Sequence, residues 1–128
     1  MKIEEKFNNN FVGSVKSIIV IKSKHSMENR HGDSVSRDHS IPNEKIMDNI
    51  KRLLKMPAFR SGKSYSIVYK NKRGFWDVMV LSYKDKYTIE IITIMKRNSR
   101  SPYDAKVSSY HNNELAIILE SLNFIILE

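Results

Sequence analysis

Residues 64–95 read SYSIVYKNKRGFWDVMVLSYKDKYTIEIITIM, and how this stretch pairs with itself decides the fold. Tyr65, Ile67 and Tyr69 alternate with Ser64, Ser66 and Lys70, the period-two pattern of a strand. Asn71 to Gly74 supplies turn formers,. From Phe75 to Tyr83 large side chains fall on both parities, with Phe75, Met79 and Leu81 on one face and Trp76, Val78 and Val80 on the other. A strand of that kind is covered on both sides and belongs mid-sheet. A second tight turn at Lys84 to Lys86 leads into Tyr87 to Met95, rich in β-branched residues,. The stretch therefore predicts three antiparallel strands in a meander.

Upstream, Val15 to Ser23 reads as one strand, because Ile18 to Ile21 is a β-branched run too short for a helix,. The segment HSMENRHGDSVSRDHSI, His25 to Ile41, is polar and rich in turn formers. It predicts a loop with at most a short helix at its start. Pro42 then opens a helix in which Ile46, Met47, Ile50, Leu53 and Leu54 recur at helical spacing,. Lys45, Lys51, Arg52 and Lys55 occupy the opposite face, and Pro57 ends the helix,. Downstream, Lys96 to Asn113 reads as a basic, polar loop. From Glu114 onward Leu115, Ile118, Leu119 and Leu122 favour a helix, with a strand as the alternative at FIIL,. The expected class is α+β.

A chain of 128 residues holds one ordinary core,. We expect a single domain over 1–128, with residues 1–13 flexible. With no cysteine there is neither a disulfide framework nor a thiolate metal site, and the reducing cytoplasm is the expected location,. No signal sequence or membrane span is legible. Twenty-two Lys and Arg against 14 Asp and Glu leave a formal charge of +8. Such a balance suits a polyanionic partner, nucleic acid above all. The alternative is that the charge serves only to keep a small protein in solution.

Three local motifs carry chemistry. K-x-K-H-S-x-x-x-R spans Lys22 to Arg30, R-x-x-x-I-P spans Arg37 to Pro42, and the last meander strand runs into MKRNSR, Met95 to Arg100. Together with the order of elements, these resemble the RelE-like endoribonucleases, and within them the small RegB-like phage enzymes, over roughly residues 15–106. The resemblance implies a RelE-like α+β fold. It consists of an N-terminal strand, one or two helices, a three-stranded antiparallel meander and a C-terminal helix or strand. It also implies an RNA substrate, engaged free or on the ribosome, and metal-independent, cofactor-free cleavage. In that family a histidine ends a strand, an arginine follows about one helical turn later, and an arginine and an isoleucine introduce the next helix. His25, Arg30, Arg37 and Ile41 match those positions. Two features depart from the pattern: Arg30 lies five residues after His25 instead of four, with 32–36 resembling an insertion, and no second histidine occurs between Lys45 and Lys86.

Metal-free cleavage of RNA needs a base for the 2′-hydroxyl proton, an acid for the 5′-oxygen and cations facing the phosphate. A histidine, with an unperturbed pKa of about 6.5, exists in both protonation states at neutral pH. The candidate catalytic residues are His25, His39 and Arg30, with His31 a further histidine in the same loop. Arg37, Lys96, Arg97, Arg100 and Lys106 are the candidates for holding phosphate, the arginines through their planar fork. The plain reading of each is an exposed, solvated side chain.

Other chemistries are weaker. The loop histidines with Asp33 and Asp38 lack the spacing of a metal site. Ser61 to Ser64, SGKS, lacks the first glycine of a phosphate-binding loop,. Neither a G-x-S-x-G elbow nor a cysteine nucleophile is present,. Trp76, Phe75, Tyr83 and Tyr87 can stack bases on a sheet face, but strand aromatics more often build core. The main rival to a nuclease is a non-catalytic regulator or inhibitor of phage type that binds nucleic acid or an acidic protein partner. A third reading is an assembly protein joined through its FIIL tail.

Overall fold

The computed structural model describes residues 10–23, 41–107 and 122–128. Within them lie six strands and two helices in the order β1 (Phe11–Val15), β2 (Ile18–Lys22), α1 (Asn43–Leu54), β3 (Lys63–Lys70), β4 (Trp76–Asp85), β5 (Thr88–Ser99), α2 (Pro102–Val107) and β6 (Asn123–Leu127). The strands form one mixed sheet in the order β1-β2-β5-β4-β3-β6. The antiparallel pairing of β3 with β4 and of β4 with β5 follows from the turns at Asn71–Gly74 and Lys86–Tyr87. Two pairings were not legible: β2 runs parallel to β5, and β6 parallel to β3.

Each face of the sheet buries its own layer. On one side Ile46, Ile50 and Leu53 of α1 pack against Val20, Ile67, Met79, Leu81, Ile89 and Ile91. On the other, Val68, Trp76, Val78, Val80 and Met95 pack with Ala105 of α2. β4 contributes to both layers, as its double-sided apolar pattern requires. Each fully buried Ile or Leu adds about 1.5–3 kcal/mol relative to an exposed one.

Several sequence expectations are corrected. The run Val15 to Ser23 is not one strand but the end of β1, a two-residue turn and β2, with Val15 paired to Ile18. Lys16 turns the chain with a φ of 54°, a left-handed conformation that sequence patterning does not flag for lysine. Residues Phe11 to Gly13, expected to be flexible, lie in β1, where Val12 joins the core. The backbone of Gly13 passes so close to α1 that a Cβ there would meet Met47 Sδ at 2.8 Å.

The expected loop after Met95 is instead the end of β5 followed by α2. Ser101 opens this helix, with its Oγ accepting the Asp104 N–H at 3.1 Å and its carbonyl accepting the Ala105 N–H at 3.1 Å. Pro102 needs no N–H at the first position. At the C-terminus FIIL is part of β6, the strand alternative. Most of the helix expected from Glu114 lies outside the described residues, as does the loop His25 to Ser40.

Helix α1 matches its expectation closely. The Pro42 carbonyl accepts from Lys45 N at 3.0 Å and Ile46 N at 3.2 Å, and the chain leaves the helix through a Met56 N–H to Leu53 bond of 2.9 Å. No helix among the described residues is long and apolar enough to cross a membrane.

Candidate functional site: a basic cavity at one end of the sheet

The start of α1, the turn between β3 and β4 and the end of β5 enclose a cavity of about 420 Å³. Ile41, Pro42 and Lys45 form one wall; Tyr69, Lys70, Asn71, Lys72 and Arg73 form the second; Lys96 and Asn98 close the third, with Asp77 below. Five cationic residues, Lys45, Lys70, Lys72, Arg73 and Lys96, thus contribute to a lining that holds a single carboxylate. Lys70 is partly withdrawn, because its Nζ sits 5.4 Å from the centre of the Trp76 ring, on the α2 side of the sheet.

The floor is built by a bulge. Trp76 pairs with Ser99 and Val78 with Met95, so a two-residue step on β4 faces a four-residue step on β5. The extra residues cannot all find ladder partners on β4. The Asp77 side chain, 1% exposed, replaces those partners: its Oδ1 accepts the backbone N–H of Arg97 and of Asn98, each at 2.9 Å. Its Oδ2 accepts from Asn71 Nδ2 at 3.1 Å. Asn71 Nδ2 also donates to Asn98 Oδ1 at 2.8 Å. Asn71 Oδ1 in turn accepts from Arg73 N at 2.9 Å and Phe75 N at 3.2 Å, which shapes the β3–β4 turn. One carboxylate and one amide therefore tie the two loops of the cavity together. Both Asp77 oxygens are engaged by N–H donors, so the site presents apolar surface set with lysine and arginine residues and no unengaged carboxylate. That arrangement fits an acceptor-rich anion, and a cleft with low-dielectric walls concentrates its field.

The structure separates the candidates that sequence placed side by side. Lys96 is exposed and lines the cavity. Arg97 does not: its side chain lies on the opposite face, with Nη2 3.4 Å from Met95 Sδ. Lys106 is also on that face, its Nζ 4.5 Å from the centre of the Phe124 ring. Arg100 is exposed beyond the end of β5. Of the four described phosphate candidates, the fold brings Lys96 alone to the cavity. The physical reason is the strand's alternation, which sends neighbouring residues to opposite faces.

His25, Arg30, Arg37 and His39 lie outside the described residues, as does His31. Their segment is bounded by Ser23, whose N–H bonds Ile91 O at 2.8 Å, and by Ile41, which lines the cavity. Among the described residues there is no group of three or more His, Asp or Glu able to hold a metal ion.

Lys45, Lys72, Arg73, Asn98 and Asp77 line the cavity without having been expected as site residues. Two signals were available. A meander sets the β3–β4 turn beside the end of β5, so the basic runs KNKR and MKRN had to meet. Asp77, alone in an apolar strand, had to find buried donors. Protein-family models, characterised proteins and solved structures were all compared with the chain. No match is found in any of them.

Proposed function

We propose that this chain is an RNA-binding protein of RelE-like architecture that holds a phosphodiester in the basic cavity and cleaves the strand without metal. The observation that carries the reading is the cavity itself, in which Lys45, Lys72, Arg73 and Lys96 line a concavity whose one carboxylate is engaged with N–H donors. The β3–β4–β5 meander with α1 on one face supports the architecture.

In the proposed reaction a base removes the 2′-hydroxyl proton, the 2′-oxygen attacks phosphorus, and the bond from phosphorus to the 5′-oxygen breaks. An acid protonates that oxygen, leaving a 2′,3′-cyclic phosphate and a 5′-hydroxyl. His25 and His39 are the proposed proton-transfer groups, and Arg30, Arg37 and Lys96 are the proposed phosphate contacts. Cations already in place lower the barrier, because they need no reorganisation as charge develops.

The test is incubation of purified protein with mixed messenger RNA in EDTA, with and without ribosomes, beside a His25→Ala variant. Discrete cuts that end in cyclic phosphate and vanish in the variant establish the reaction. Folded protein that makes no cuts, but binds RNA with a steep salt dependence, is a binding regulator. A flat salt dependence points to an acidic protein partner.

A further inference from the structure

Asn98 stands at the mouth of the cavity in a conformation that asparagine adopts at a cost, with a φ of 50°. Its backbone N–H is held by Asp77 Oδ1 at 2.9 Å, and its side-chain direction is set by Asn71. The orientation of the Asn71 amide is determined in turn by its surroundings: two backbone N–H groups, of Arg73 and Phe75, point at Oδ1, so Oδ1 must be the acceptor. Asn71 Nδ2 therefore donates, and Asn98 must turn Oδ1 toward it, at 2.8 Å. What remains of the Asn98 amide is its N–H₂ group. Among the described residues no acceptor holds it, and Asn98 is exposed where it lines the cavity.

From this chain of hydrogen bonds we infer that the Asn98 side-chain amide is a ligand contact, donating an N–H to a non-bridging oxygen of the phosphodiester in the cavity. The inference rests on the RNA-binding reading above and assigns a contact within it. A donor whose acceptor side is locked needs no reorientation when ligand arrives, so the bond forms with little loss of rotamer freedom. The phosphate oxygen is the fitting acceptor because it is common to every nucleotide and because a neutral amide among cations adds direction without adding charge. The left-handed backbone is consistent with this role, since strain of that kind persists where the surrounding structure over-determines it.

The experiment measures binding of short single-stranded homopolymer RNAs across a range of salt, for the native chain, Asn98→Gly, Asn98→Asp, Lys45→Ala and Lys96→Ala. Glycine accepts the left-handed conformation freely, so Asn98→Gly is expected to melt in urea no lower than the native chain. The same variant is expected to bind every homopolymer roughly tenfold more weakly. Its salt slope should stay native, because a neutral donor releases no counterion, whereas each lysine variant flattens the slope by about 0.7. Asn98→Asp, which keeps the oxygen facing Asn71 but sets a second one toward the phosphate, should bind more weakly still. Should Asn98→Gly melt early, its binding is measured at temperatures where it is fully folded, and native-strength binding there overturns the inference.

Native-strength binding by both Asn98 variants, with the lysine variants impaired, overturns the inference and leaves the RNA-binding reading standing. A loss confined to one homopolymer overturns the phosphate assignment in favour of base readout. RNA binding absent, or indifferent to Lys45 and Lys96, removes the reading and the inference with it.

Discussion

Asp77 on β4 and Arg97 on β5 are joined through the wrong part of the arginine for an ion pair: the Asp77 carboxylate accepts the Arg97 backbone N–H at 2.9 Å, while the guanidinium lies on the other face near Met95. The carboxylate is thus a structural clasp for the β5 bulge, and the bulge is what presents Lys96 and Asn98 to the cavity. Asp77→Ala leaves the partly buried Arg97 and Asn98 N–H groups without their acceptor, which should cost about 1–3 kcal/mol. Asp77→Asn keeps one acceptor oxygen and should cost about half as much. Urea unfolding of the two variants checks the order; equal costs would show that the clasp is not what holds the bulge.

Lys96 and Arg97 are neighbours in sequence with opposite fates. Lys96→Ala should weaken RNA binding severalfold at low salt and reduce its salt dependence, whereas Arg97→Ala should leave both nearly unchanged. Filter binding across a salt series reads the difference. A larger loss from Arg97→Ala would put the RNA on the α2 face instead.

Gly13 faces the Met47 side chain of α1, which must shift before a methyl group fits. A Cβ there would lie 2.8 Å from Met47 Sδ and 2.9 Å from Met47 Cγ, so Gly13→Ala should destabilise by about 1–3 kcal/mol. In a Met47→Ala background the penalty should largely disappear, giving a coupling of about 1 kcal/mol or more in a double-mutant cycle. Additive costs would mean that the backbone of β1, and not the Met47 thioether, is what resists.

Tyr65 is 1% exposed, and its hydroxyl organises the link between α1 and β3. The hydroxyl oxygen accepts the Arg60 N–H at 2.7 Å, and its proton is shared between the carbonyls of Ala58 at 3.0 Å and Arg60 at 3.1 Å. Phe59 packs on the same ring at 4.9 Å between centroids. Tyr65→Phe keeps the packing and removes the hydrogen bonds. It should therefore cost about 1–2 kcal/mol, with faster amide exchange at Arg60 as the local signature. Unchanged exchange at Arg60 would contradict this account.

Lys22 is half-buried at the end of β2, and desolvation holds its ammonium below the ordinary value of 10.5. Below that value the folded chain binds fewer protons at this site than the unfolded chain, so stability rises with pH through the window that closes near 10.5,. On the acid side of that window the penalty is present in full. Lys22→Met removes it, so the variant should show a higher urea midpoint at neutral pH. Its advantage should shrink as pH climbs toward that closing value. A gap independent of pH would assign the gain to apolar burial alone.

Local chemistry was enough for the elements whose partners are their sequence neighbours. The meander follows from alternation and two tight turns, α1 follows from apolar spacing between two prolines, and the double-sided burial of β4 follows from its unbroken apolar run. Each of these is a short-range pattern, and the residues that satisfy it lie within a few positions of one another. The basic balance of +8 is also legible without any knowledge of the fold, and the proposed anionic partner starts from it.

Only the tertiary structure decided the rest. That β2 lies beside β5 and β6 beside β3 depends on pairings between segments far apart in the chain, for which no turn residue gives a signal. Which cations share a cavity depends on the same placement: Lys45 comes from a helix, Lys72 and Arg73 from a turn, and Lys96 from the end of a strand. The β5 bulge then settles the side chains one by one, turning Lys96 and Asn98 toward the cavity and Arg97 away. A charge run in sequence carries no face; the pleat of the sheet and the Asp77 clasp supply it.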